Sequence, residues 1–140
     1  MSTRRPVGQT AGSGFQIGVR KTLPFTPDEI WSAVLSPEGT GVWLGGPVEI
    51  AEAMTYRLED GTTGTIRVYT PGSHIRLTWQ PAGWTQASVI QIRVIPAKTG
   101  TTLSFHREQL AGPAERAAMK ERWDRVIARL YLLIGDRTAS

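Results

Sequence analysis

Cysteine is absent from the 140 residues, so disulfides and thiolate metal sites are excluded. Histidine occurs only as His74 and His106, which makes a metal site an unfavoured reading. No apolar run approaches the roughly 20 residues that a membrane helix needs. Acidic residues are missing from the whole stretch between Gly61 and Arg107. That stretch therefore offers no carboxylate pair for acid–base work. A Gly-x-Ser-x-Gly elbow and a phosphate loop are missing too. Gly39-Thr40-Gly41 has neither the third glycine nor the preceding strand of a dinucleotide fingerprint. No complete catalytic motif remains, and neither a metal nor a cofactor is expected.

What is present is ordinary for one globular domain. The formal charge is +4 and the sequence pI about 10.0. The basic residues are dispersed and no aromatic–basic RNA motif accompanies them, so nucleic acid is not the expected partner. Arg4 and Arg5 lead into Pro6, Gly8, Gln9 and Thr10, which make no signal-peptide core. The expectation is a cytoplasmic protein with a loose arm over residues 1–14, a single domain over 15–135 and a tail over 136–140.

The periodicities follow a simple order. Phe15, Ile17 and Val19 alternate with polar positions, as in a half-buried strand. Thr26, Pro27 and Glu29 have the spacing of a capping box with proline at the first helical position. Ile30, Trp31, Val34 and Leu35 give that helix a buried side, and Ser36-Pro37-Glu38 starts a second short helix. Alternating runs then centre on Tyr56, Ile66, Leu77, Ile92 and Leu103, with turn signals at Asp60-Gly61, Pro71-Gly72 and Lys98-Thr99-Gly100. Met119, Trp123, Val126, Ile127, Leu130 and Leu133 form a stripe at helical spacing, opened by Pro113 and stopped at Gly135.

Consecutive strands joined by hairpins imply an antiparallel sheet. Its apolar face and the apolar stripe of the last helix are best buried against each other. The fold class is thus α+β: a curved antiparallel sheet of about six strands wrapped around a long C-terminal helix, with two short helices after the first strand. A symmetric hairpin about Lys98-Thr99 pairs Val94 with Leu103 and Ile92 with Phe105, apolar on apolar. The same count about Pro71-Gly72 pairs Val68 with Ile75 and Ile66 with Leu77, although Pro71 suggests a wider loop.

The stretch Phe25-Thr26-Pro27-Asp28-Glu29-Ile30-Trp31, followed by Trp43, resembles the opening of the SRPBCC, or START-like, superfamily with its helix-grip fold. Several further features resemble the branch named for the C-terminal domain of the activator of the heat-shock-protein-ninety ATPase. They are Pro71-Gly72 before Ile75-Arg76-Leu77-Thr78-Trp79, Gly100-Thr101 before Leu103, His106, and Arg122-Trp123 opening the last helix. The resemblance runs from about Phe15 to Ile134. One departure is the glycine pair that usually precedes the second strand, missing around Ala53 to Tyr56. The resemblance implies a small-molecule binder, a chaperone-associated partner-binding module, or an enzyme of the cyclase or hydratase kind. The last would need an inward ionisable pair, which the sequence does not supply.

The first reading is favoured: a cavity between sheet and C-terminal helix that takes a small, largely apolar ligand. Trp43, Tyr56, Trp79, Phe105 and Trp123 are the candidate walls, against the alternative that they are simply core. The parity that buries Leu103 and Phe105 also turns Arg107 inward. It is either paired with a helix carboxylate or anchors an anionic head on the ligand. Trp84 is a candidate lid. On the outer face Arg67, Arg76 and Arg93 form a candidate partner surface, with Arg67 and Arg76 opposite one another in the symmetric register and no nearby acid in the chain.

Overall fold

A computed structural model describes residues 9–10, 14–110 and 113–139. The elements run β1 (Gln9–Thr10), β2 (Gly14–Leu23), α1 (Pro27–Leu35), α2 (Pro37–Trp43), β3 (Thr55–Arg57), β4 (Thr63–Thr70), β5 (His74–Trp79), β6 (Ser88–Ala97), β7 (Gly100–Leu110) and α3 (Pro113–Ala139). All strands join one antiparallel sheet in the order β1-β2-β7-β6-β5-β4-β3. These are the six expected strands plus the two-residue β1. The sheet is open, with β1 and β3 at its edges, and α3 lies against β2, β7, α1 and α2. This is the helix-grip arrangement. The expected arm lies largely outside the described residues.

Local chemistry fixes the two short helices. The Thr26 hydroxyl accepts from the Glu29 N–H at 3.1 Å, and the Glu29 carboxylate accepts from the Thr26 N–H at 2.9 Å. Both donors would otherwise be orphaned at the start of α1. Ser36 ends one helix and starts the next: its hydroxyl donates to the Ala33 carbonyl at 2.6 Å and accepts from the Gly39 N–H at 3.0 Å. Thr40, wholly buried, ties the following loop by accepting from the Val48 N–H at 3.0 Å. Gly39-Thr40-Gly41 thus belongs to α2.

The hairpin of β6 and β7 has the expected register, with Val94 opposite Leu103 and Ile92 opposite Phe105. The hairpin of β4 and β5 does not. Pro71 and Gly72 are the central residues of a turn closed by the Ser73 N–H on the Thr70 carbonyl at 3.0 Å. Gly72 has φ 77°, a backbone geometry that glycine adopts without cost. The loop therefore holds three residues, and Thr70 faces His74. A bulge between Ile66 and Val68 absorbs the offset, so that Ile66 still faces Leu77. Val68 consequently sits opposite Arg76 and is exposed, while Tyr69 takes the place opposite Ile75. Arg67 and Arg76 are not cross-strand partners.

The terminal helix also differs from expectation at its end. It passes through Gly135 and continues to Ala139. Its last turns are held from outside: Ile134 is wholly buried and the Arg137 guanidinium donates to the Ser32 hydroxyl of α1 at 3.3 Å. Those contacts offset the roughly 1 kcal/mol that glycine costs within a helix. Between sheet and α3 lies one apolar core, with Ile30, Val34, Ile75, Leu77, Ile92, Leu103, Phe105, Trp123 and Leu130 shielded from solvent.

Candidate functional site

One polar constellation interrupts that core. Arg107 on β7 faces Ile90 on β6 and, like it, points inward; its side chain is 0 % exposed. Trp79 ends β5 and Ser88 begins β6 directly opposite. The Ser88 hydroxyl donates to the Trp79 carbonyl at 3.0 Å and accepts from Arg107 twice, from Nε at 3.1 Å and from Nη2 at 2.9 Å. Nη1 donates to the thioether sulfur of Met119 on α3 at 3.1 Å. The guanidinium carbon stands 3.8 Å from the centre of the Trp79 ring and 6.0 Å from that of Trp123. Two aromatic rings, a hydroxyl and a sulfur are its surroundings. No carboxylate among the described residues is within ion-pair distance. None of the described helix carboxylates takes the partner role allowed for one.

A guanidinium has five N–H donors, and three are used here. Burial, and secondly the charge of Arg122, pulls the Arg107 pKa from 12.5 down to about 9, with Tyr56 acting in the opposite direction. The group remains a cation at neutral pH. Trp123 adds a second anomaly: its indole N–H is buried and has no acceptor among the described residues. Its ring stacks on Phe105 with centroids 4.5 Å apart. Tyr56 on β3 is buried and its hydroxyl donates to the Thr78 carbonyl at 2.5 Å. Burial holds the phenol well above its ordinary range, so it is a neutral donor.

The structure thus brings Tyr56, Trp79, Phe105, Arg107 and Trp123 into one region. Trp43 is held by a different contact: its indole N–H donates to the Val34 carbonyl of α1 at 2.9 Å. Trp84, half-buried in the loop after β5, meets Trp79 edge-on with centroids 5.4 Å apart. Its carbonyl accepts from the Gln80 side chain at 2.7 Å. Ser88, Met119 and Arg122 are not among the site residues expected from the sequence. Ser88 shares the parity of Ile90 and Ile92, which was signal enough to place it inward. Arg122 lies off the helical stripe, yet its guanidinium reaches 5.7 Å from the Trp79 ring.

On the outer face Arg76 pairs with Glu108, Nη2 to Oε2, at 3.0 Å, and donates to Gln91 at 3.2 Å. The acid-free stretch ends one residue too early to show that partner. Arg67 is exposed at the bulge, and Arg93 is exposed opposite His74 and Ser104. Both histidines are on this face, and His106 Nδ1 lies 3.4 Å from Glu108.

A family model described as Activator of Hsp90 ATPase homolog 1-like protein matches residues 24–135. The chain belongs to that family. This is the branch that the sequence resembles. No curated protein matches it. Among solved structures, protein MLL2253 from Mesorhizobium loti is 22% identical with a TM-score of 0.73, covering 88% of this chain and 98% of that one. CalU16 from Micromonospora echinospora is 20% identical with a TM-score of 0.74 over 90% of this chain and 81% of that one. DynU16, of the dynemicin biosynthetic locus, is 20% identical with a TM-score of 0.75 over 86% of this chain and 47% of its own. At such identities the likeness is one of fold. Against the family's glycine pair, this member has Ala53 with φ 60°, the one non-glycine residue in the left-handed region among those described. No helix among the described residues is long and apolar enough to cross a membrane.

Proposed function

We propose that this protein binds a small, largely apolar molecule carrying one anionic group, between the sheet and α3. Tyr56, Trp79, Phe105 and Trp123, with Trp43 near α1, provide the apolar surface, and Arg107 provides the counter-charge. The observation that carries the reading is Arg107 itself. A cation placed wholly inside the fold, with no carboxylate of the described residues beside it, costs several kcal/mol. A ligand anion would supply the missing charge through a short, bidentate contact. The orphaned Trp123 N–H supports the same reading, since a ligand oxygen would satisfy it. Entry would run past Trp84, whose half-buried ring rests against Trp79 in a loop and not in a strand.

The experiment is a calorimetric screen of aromatic and fatty acids against their neutral amides. Acids are expected to bind at least about tenfold more tightly, which is roughly 1.4 kcal/mol. Equal affinity for acids and amides would remove the anchoring role of Arg107. Failure of both to bind would make the aromatic cluster a plain core.

A further inference from the structure

Arg107 is not the only cation at Trp79. Arg122 reaches the same ring from α3, its guanidinium carbon 5.7 Å from the ring centre against 3.8 Å for Arg107. Two guanidinium groups, one from the sheet and one from the helix, therefore converge on one indole. Their like charges act on each other, and Arg125 adds a third positive charge beside Arg122. Arg122 makes no ion pair among the described residues. Among the described residues, the acid that acts on it is Asp60, whose carboxylate faces solvent and already accepts from the Thr62 N–H at 2.9 Å. Asp124, on the same helix, is taken by Lys120 at 3.5 Å. A single carboxylate on a ligand would leave this cluster with an excess of positive charge.

We infer that the head group this site takes is a dianion of the phosphate-monoester class, held by Arg107 from β7 and Arg122 from α3 around the ring of Trp79. The inference rests on the ligand-binding reading above and narrows it. Guanidinium groups match phosphate oxygens in pairs of parallel hydrogen bonds, and a phosphoryl group offers three such oxygens where a carboxylate offers two. Arg107 has two N–H donors to spare. Arg122 is half-buried, so it stands between the closed interior and solvent. In this arrangement Arg107 sets the depth of the head group, and Arg122 selects its charge.

The test uses the whole chain at pH 8, where a phosphate monoester carries close to two charges. Octyl phosphate, octanoate and octanol are titrated by calorimetry into the wild type and into Arg122→Gln. Octyl phosphate should bind about tenfold more tightly than octanoate, as expected for one additional charge-assisted contact. Arg122→Gln should remove that advantage, weakening octyl phosphate about tenfold more than it weakens octanoate. A thermal midpoint close to that of the wild type confirms that the variant is folded. Equal binding of octyl phosphate and octanoate by the wild type overturns the dianion inference but leaves the ligand-binding reading in place. An equal loss for both ligands in Arg122→Gln also overturns it, because Arg122 would then not discriminate charge. Octanoate binding no more tightly than octanol, with octyl phosphate no better, overturns both readings.

Discussion

Replacing Arg107 with methionine should make the protein more stable while removing its preference for acids. The wild-type side chain is a wholly buried cation whose pKa is pulled from 12.5 to about 9. That difference corresponds to roughly 5 kcal/mol acting against the charged form. On the other side stand its contact with the Trp79 ring, worth about 2 kcal/mol when desolvated, and two hydrogen bonds to the single Ser88 hydroxyl. Methionine would follow the path of the arginine stem and meet the Met119 thioether without a charge. Ser88 would keep its bond to the Trp79 carbonyl, so no new polar group is orphaned. With the two bonds to that one shared hydroxyl contributing about 1 kcal/mol together, the balance favours the variant by about 2 kcal/mol, within the range seen when buried charges are replaced by apolar side chains. In urea denaturation this should raise the midpoint by about 1 M with an unchanged slope. A variant less stable than the wild type by about 1 kcal/mol or more would refute the reasoning, because Arg107 would then be structural and its charge already compensated.

Three further outcomes are expected. Trp123→Ala removes a wholly buried ring stacked on Phe105, and should cost about 3–5 kcal/mol in equilibrium denaturation. Ala53→Gly relieves a left-handed alanine and should raise stability by about 0.5–1 kcal/mol, net of the entropy glycine adds to the unfolded chain. Glu108→Gln breaks a half-exposed ion pair with Arg76 and should change stability by less than about 1 kcal/mol, less still in high salt, as a salt titration of the unfolding midpoint would show.

The parts of this fold that could be read from sequence are those decided by near neighbours. The capping box needs only Thr26 and Glu29, and the β6–β7 register needs only a two-residue turn between alternating strands. Parity alone put Arg107 inside. What it could not show is how far α3 lies from the end of β5, and so Arg122 at the Trp79 ring went unforeseen. The β4–β5 register failed for a local reason: proline and glycine at the turn centre favour a geometry that closes on Ser73, and the bulge that corrects the offset leaves no mark in composition. The counter-charge for Arg76 was missed because Glu108 belongs to a strand two places away in the sheet's chain order.

The three-residue turn and the bulge behind it have a consequence for comparing this chain with others. Between Ile66 and Ile75, the faces of the strands are set by two length changes that cancel. A related hairpin of the same length with a two-residue turn and no bulge would also keep Ile66 opposite Leu77, but would put Val68 in place of Tyr69 opposite Ile75. A residue-by-residue alignment of such a pair would need no gap, yet from Val68 to Thr70 it would match inward positions of one chain with outward positions of the other. Because turn and bulge are each local, removing one turn residue, or the extra residue Arg67 of the bulge, should leave Ile66 opposite Leu77.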